Sequence, residues 1–88
     1  MQITRNALKR FNIYMDQVSK SPNSELGMKR SKFDSIAKKM KKMEIEANFV
    51  YSVTLENPLI SIDVSDIEWI IKNALPSSDE LREVYKLF

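Results

Sequence analysis

Seven lysines or arginines stand among the fifteen residues KRSKFDSIAKKMKKM, positions 29–43: Lys29, Arg30, Lys32, Lys38, Lys39, Lys41 and Lys42. Cations concentrated in this way do one kind of chemistry well, the neutralisation of a polyanion such as a phosphate backbone. Arg30 adds a planar fork able to hold two acceptors of a guanine at once, and Ser31, Lys32 and Ser35 lie where a helix entering a groove would approach base edges. A charged helix face that only keeps a protein solvated usually interleaves Glu with Lys at i, i+4. Here only Asp34 interrupts the run. The same lysines would also suit an acidic protein surface.

Covalent and acid–base chemistry has few residues to draw on. The chain contains neither Cys nor His, so it lacks the usual zinc ligands, the thiol nucleophile, the commonest general base and any disulfide. Gly27 is the only glycine, which excludes a glycine-rich phosphate loop. Asp63 and Asp66 stand near one another and raise the question of paired-carboxylate chemistry or a magnesium site, but Asp66 more simply favours a helix N-terminus through the dipole. The expectation is a protein that is not an enzyme, with no catalytic residue, no metal and no cofactor.

Two aromatic features bear on partners. Trp69 falls roughly opposite the centre of the Ile67, Ile70, Ile71 and Ala74 stripe, so it is either an exposed anchor for a protein interface, a homodimer included, or a ring packed under the last helix. Phe49 and Tyr51 could stack on unpaired bases, yet their alternation with polar residues argues that they face a core.

Charge is divided unequally along the chain. Residues 1–44 carry eleven Lys or Arg against four acids, and residues 45–88 carry three against eight. A polyanion would therefore meet the N-terminal half, with Arg5, Lys9 and Arg10 as secondary contacts, and be repelled by the other. Apolar runs are far too short for a membrane span and the N-terminus lacks a secretory signal's apolar stretch. A cytoplasmic protein with no membrane partner is expected. Lys, Ile and Asn are abundant and Gly is scarce, a bias that AT-rich genomes produce and that small phage or mobile-element proteins often show.

The elements that must position these residues follow from periodicity. At 88 residues the chain makes one small domain, 1–88, burying roughly 60–65% of its unfolded surface. Ala7, Leu8, Phe11, Tyr14, Met15 and Val18 close into one helical stripe, with Thr4 as its N-cap. Ser21-Pro22 ends that helix. In the basic segment Phe33, Ile36, Ala37, Met40 and Met43 share one arc, with the lysines opposite. After Glu44 the period changes to two: Phe49, Tyr51, Val53 and Leu55, then Ile60, Ile62 and Val64, read as the strands of an antiparallel hairpin turning near Pro58. Leu55, Ile60 and Ile62 are placed on its buried face. Ser65 and Glu68 form a capping box for a third helix, and Ser77 and Glu80 open a last one carrying Leu81, Val84, Tyr85 and Phe88. The fold class is α+β: two N-terminal helical segments, a β-hairpin and two C-terminal helices.

The stretch SELGMKRSKFDSIAKKMKKMEIEANFVYSV resembles the recognition unit of the winged helix-turn-helix family, a likeness that covers about residues 24–64. On that resemblance Ser24, Glu25, Leu26 and Gly27 would open a second helix, Ser31 to Met43 would form the recognition helix, and Phe49 and Val50 would lead into the wing. The segment ELGMKR is short for a helix, and Gly27 stands where the family usually has Ala. The resemblance implies a DNA-reading regulator. The expected function is a small non-enzymatic nucleic-acid-binding regulator, DNA or RNA, and the alternative is a small inhibitor or adaptor that binds a partner protein.

Overall fold

A computed structural model describes residues 1–20 and 30–73. In chain order these form strand β1 (Gln2–Thr4), helix α1 (Arg5–Ser19), helix α2 (Arg30–Thr54), strand β2 (Leu59–Ser61) and helix α3 (Val64–Asn73). The α+β class stands, but the elements between Glu44 and Val64 differ from the expectation.

Helix α1 begins where its cap predicts, with Thr4 Oγ1 accepting from the Ala7 amide at 3.1 Å. Its apolar stripe is buried at Leu8, Phe11, Tyr14, Met15 and Val18. These side chains meet Phe33, Ile36 and Met40 of α2 and Ile67 and Ile70 of α3 in one core, which Ile3 and Ile62 close at the sheet end. Asn12 is the one buried polar residue of that core among the described residues. Its Nδ2 donates to the Met40 carbonyl at 3.1 Å and to Glu44 Oε1 at 2.8 Å. Contacts from Ser19 to Arg30, Asn12 to Met40 and Arg5 to Asn48 run α1 antiparallel to α2. Lys39 to Asp66 and Lys32 to Trp69 run α3 antiparallel to α2 as well.

The hairpin expected at Phe49–Leu55 and Ile60–Val64 is replaced by helix: α2 continues without a break to Thr54. From Arg30 to Asn57 the sequence offers neither Gly nor Pro to stop it. Four-residue spacing also accounts for the same apolar positions, because Met43, Ala47 and Tyr51 fall on the inner side while Ile45, Phe49 and Val53 fall on the outer side. The helix ends at Leu55, whose φ of 58° is left-handed and whose amide still bonds the Tyr51 carbonyl at 2.7 Å. Thr54 Oγ1 donates to the Val50 carbonyl and accepts from the Glu56 amide, so its hydroxyl ties the last turn to the residues that leave it. Leu55 is consequently exposed rather than buried, Ile60 is half-buried, and Ile62 is buried as expected.

Strand β2 pairs instead with β1, antiparallel, with Ile3 opposite Ile60. The Ile62 amide extends the ladder to the Met1 carbonyl at 2.8 Å. Helix α3 starts ahead of the expected capping box. Asp63 is its cap, accepting from the Ser65 hydroxyl at 2.7 Å and the Ser65 amide at 2.9 Å. The helices expected at Ser24–Gly27 and from Ser77 onward lie outside the described residues, as does Lys29.

Candidate nucleic-acid interface

At 100° per residue, the buried positions Phe33, Ile36, Met40 and Ala47 of α2 occupy an arc of about 60°, and Lys38 and Lys42 lie on the opposite side. Contacts fix the flanks. Arg30, Glu44, Asn48 and Tyr51 face α1, whereas Lys32 and Lys39 face α3. Lys38, Lys41 and Lys42 therefore project outward between the two neighbours, and all three are exposed. Among the described residues no carboxylate lies within ion-pair distance of them. About 6 Å along the axis separates Lys38 from Lys42, so three cations share a compact patch.

The remaining described cations of the segment have structural partners. Lys39 Nζ lies 2.9 Å from Asp66 Oδ2; this hydrogen bond and the carboxylate's charge raise its pKa above 10.5. Lys32 Nζ sits 5.0 Å from the centre of the Trp69 ring. Arg30 donates from Nη2 to the Ser19 carbonyl at 2.8 Å, keeps Nε 3.4 Å from Asp34 Oδ1 and lies over the Phe33 ring. The guanidinium expected to read guanine thus ties the end of α1 to the start of α2. Arg5, one of the secondary contacts, is likewise engaged: its Nη1 donates to Asn48 Oδ1 at 3.3 Å and its guanidinium carbon stands 3.7 Å from the Tyr51 ring centre. Lys9 is exposed on the far side of α1.

Trp69 is half-buried and packs against the core; the last helix, under which the alternative placed it, lies outside the described residues. Of the two aromatic residues expected to face a core, Tyr51 is half-buried beneath Arg5, and Phe49 is 69% exposed. Asp63 and Asp66 are a helix cap and an ion-pair partner respectively. Ser65, first through its hydroxyl and then through its amide, holds the Asp63 carboxyl below its ordinary 3.8. No group of three metal-ligating side chains occurs among the described residues, and no described helix is long and apolar enough to cross a membrane.

The feature that sequence reasoning missed is the outer face beyond the lysines. Ile45 and Val53 are 62% and 67% exposed, and with Phe49 they continue the line of Lys38 and Lys42 within an arc of about 80°. The helix thus presents one uncovered face, basic in its first half and apolar in its second. The signal was available as the i, i+4, i+8 spacing of Ile45, Phe49 and Val53, of which the alternating reading took Phe49 and Val53 as members of one strand and left Ile45 out. Compared with protein-family models, with curated proteins and with solved structures, the chain matches none.

Proposed function

We propose that this protein is a small non-enzymatic nucleic-acid-binding regulator that docks a phosphate backbone on the first half of α2. One observation carries the reading: Lys38, Lys41 and Lys42 project from a face that neither α1 nor α3 covers, without a described carboxylate to neutralise them. Rigidity supports it too, because the same helix is fixed from behind by Phe33, Ile36 and Met40, so the cations need no further ordering of the backbone on binding. Of the winged helix-turn-helix resemblance, this mode keeps the basic helix and does without a wing. It relies on positioning by phosphate contacts rather than on Arg30 reading a base.

Counterion release sets the test. Three neutralised phosphates give a log–log salt slope of about −2.7 on duplex DNA and about −2.1 on a single strand. Should Lys39 leave Asp66 to make a fourth contact, the duplex slope becomes about −3.6. Replacing Lys38, Lys41 and Lys42 together by Gln flattens the slope and leaves the helix intact, since the positions are exposed and Gln is a good helix former. Failure of the unmodified protein to bind duplex or single-stranded DNA or RNA at about 50 mM salt overturns the reading. The second reading, an inhibitor or adaptor docking an acidic protein, draws on the contact already present between Lys39 and the Asp66 carboxylate. Nuclease-resistant recovery of a protein that requires Lys38, Lys41 and Lys42 would transfer the face to that partner.

A further inference from the structure

The apolar half of the α2 outer face shares only Lys42 with the nucleic-acid reading, and its residues have a symmetry of their own. Ile45 and Val53 each stand four residues from Phe49, and Lys42 and Glu56 each stand seven residues from it. Glu56 follows the left-handed Leu55 and so leaves the helical repeat, but its amide bonds Thr54 Oγ1 at 3.3 Å, which keeps its backbone beside the last turn. Lys42 and Glu56 are both exposed, and neither is in an ion pair with another described residue.

We propose that this face binds a second copy of the chain, with the two α2 helices antiparallel and crossing at Phe49. In that arrangement residues equidistant from Phe49 oppose one another. Ile45 of one copy packs on Val53 of the other, and Lys42 meets Glu56 at both ends of the contact. The interface is isologous, as a two-fold dimer requires. A parallel pairing would instead set Lys42 against Lys42 and Lys38 against Lys38, and like charges brought together across an interface are strongly unfavourable. The apolar strip is narrow beside the roughly 800 Å² per partner of a standard interface, so the dimer is weak and reversible. Nothing has to refold to form it: Ala47 in the core, Asn48 bonded to Arg5 and Tyr51 beneath Arg5 hold this half of α2 against α1 in the single copy.

The test is the mass of the full chain by light scattering and sedimentation over a range of concentrations, with circular dichroism to monitor folding. The expected result is a mass that rises from one chain toward two. Phe49→Glu weakens the association roughly 30-fold or more, as loss of a central aromatic anchor does, with helicity and melting temperature unchanged. Lys42→Glu and Glu56→Lys each weaken it, and the double variant restores it. A protein that stays monomeric at every concentration overturns the proposal, as does a dimer indifferent to Phe49→Glu. If the double variant is no tighter than the singles, the antiparallel register is wrong. Co-sedimentation of a monomer with phosphatidylglycerol vesicles, lost in Phe49→Glu, would assign the face to a lipid surface. Loss of single-strand binding in Phe49→Glu at unchanged mass would assign it to base stacking.

Discussion

Asn12 and Glu44 join the two long helices through a 2.8 Å hydrogen bond at the middle of their contact, and the same Asn12 amide nitrogen reaches the Met40 carbonyl. A buried amide is tolerated in a core only when it is bonded, so the pair fixes the register of α1 along α2 as well as adding stability. Asn12→Ala removes both bonds and leaves a small void. The expected cost is about 1–3 kcal/mol in chemical denaturation. A double-mutant cycle with Glu44→Ala should return a coupling of about 1 kcal/mol or more. Additive effects would mean that the observed bond contributes little.

Leu55 holds a conformation that an L-residue adopts at a cost of about 1–2 kcal/mol. Its side chain is 77% exposed and gives little packing in return. Leu55→Gly should therefore stabilise the protein by about 1 kcal/mol, the usual gain where Gly replaces another residue at a left-handed helix end being offset in part by its greater unfolded-state entropy. Thermal unfolding checks this, and a lower melting temperature would show that α2 does not end there.

Two charged groups among the described residues couple stability to pH. The folded Asp63 carboxyl titrates below its ordinary 3.8, so its contribution is present above that value and is lost as the pH falls through the lower, folded one. Lys39 titrates above its ordinary 10.5; its contribution is complete below that value and disappears as the pH rises through the higher, folded one. Between the two windows these groups contribute a constant amount. Asp63→Asn keeps a competent helix cap while removing the charge, and the acid limb of its melting-temperature profile should be flatter than that of the parent protein. Lys39→Met should flatten the alkaline limb chiefly, with a small effect on the acid limb because the Lys39 charge also helps to lower Asp63.

Helix α1 was legible in the sequence because stripe and cap agree: Thr4 opens it and Leu8, Phe11, Met15 and Val18 share one side. The inner face of α2 was legible from its stripe of Phe33, Ile36 and Met40. Its end was not, since periods of two and of four coincide wherever every second apolar residue of an alternating run is also four from the next, as at Met43, Ala47 and Tyr51. Tertiary context decides such cases, and here the Arg5 guanidinium over Tyr51 and the burial of Ala47 favour helix. Strand β1 has only the three residues Gln-Ile-Thr and exists through its partner, so no local pattern could reveal it. Asn12 lies four residues after Leu8 on the buried stripe, but a stripe read from apolar residues alone passes over it. As for the candidate site, the density of lysine was visible, whereas the division into free and paired lysines depends on where α3 sets Asp66 and Trp69.

The pairing of β1 with β2 also governs the order in which the chain can fold. Residues 2–4 meet residues 59–61, so both long helices lie inside the loop that this contact closes. Closing so long a loop costs entropy that only pre-formed structure can offset. The α1–α2 hairpin, whose contacts are closer in sequence, should consolidate first and the sheet should zip up after the rate-limiting barrier. Ile3→Ala would then act on the exit rather than the entrance: the unfolding arm of the chevron rises while the refolding arm stays near its original position. During synthesis the same topology leaves Ile3 without its cross-strand neighbour until Ser61 has cleared the ribosome, so the nascent helices pass through a stage with one end of their core open to water.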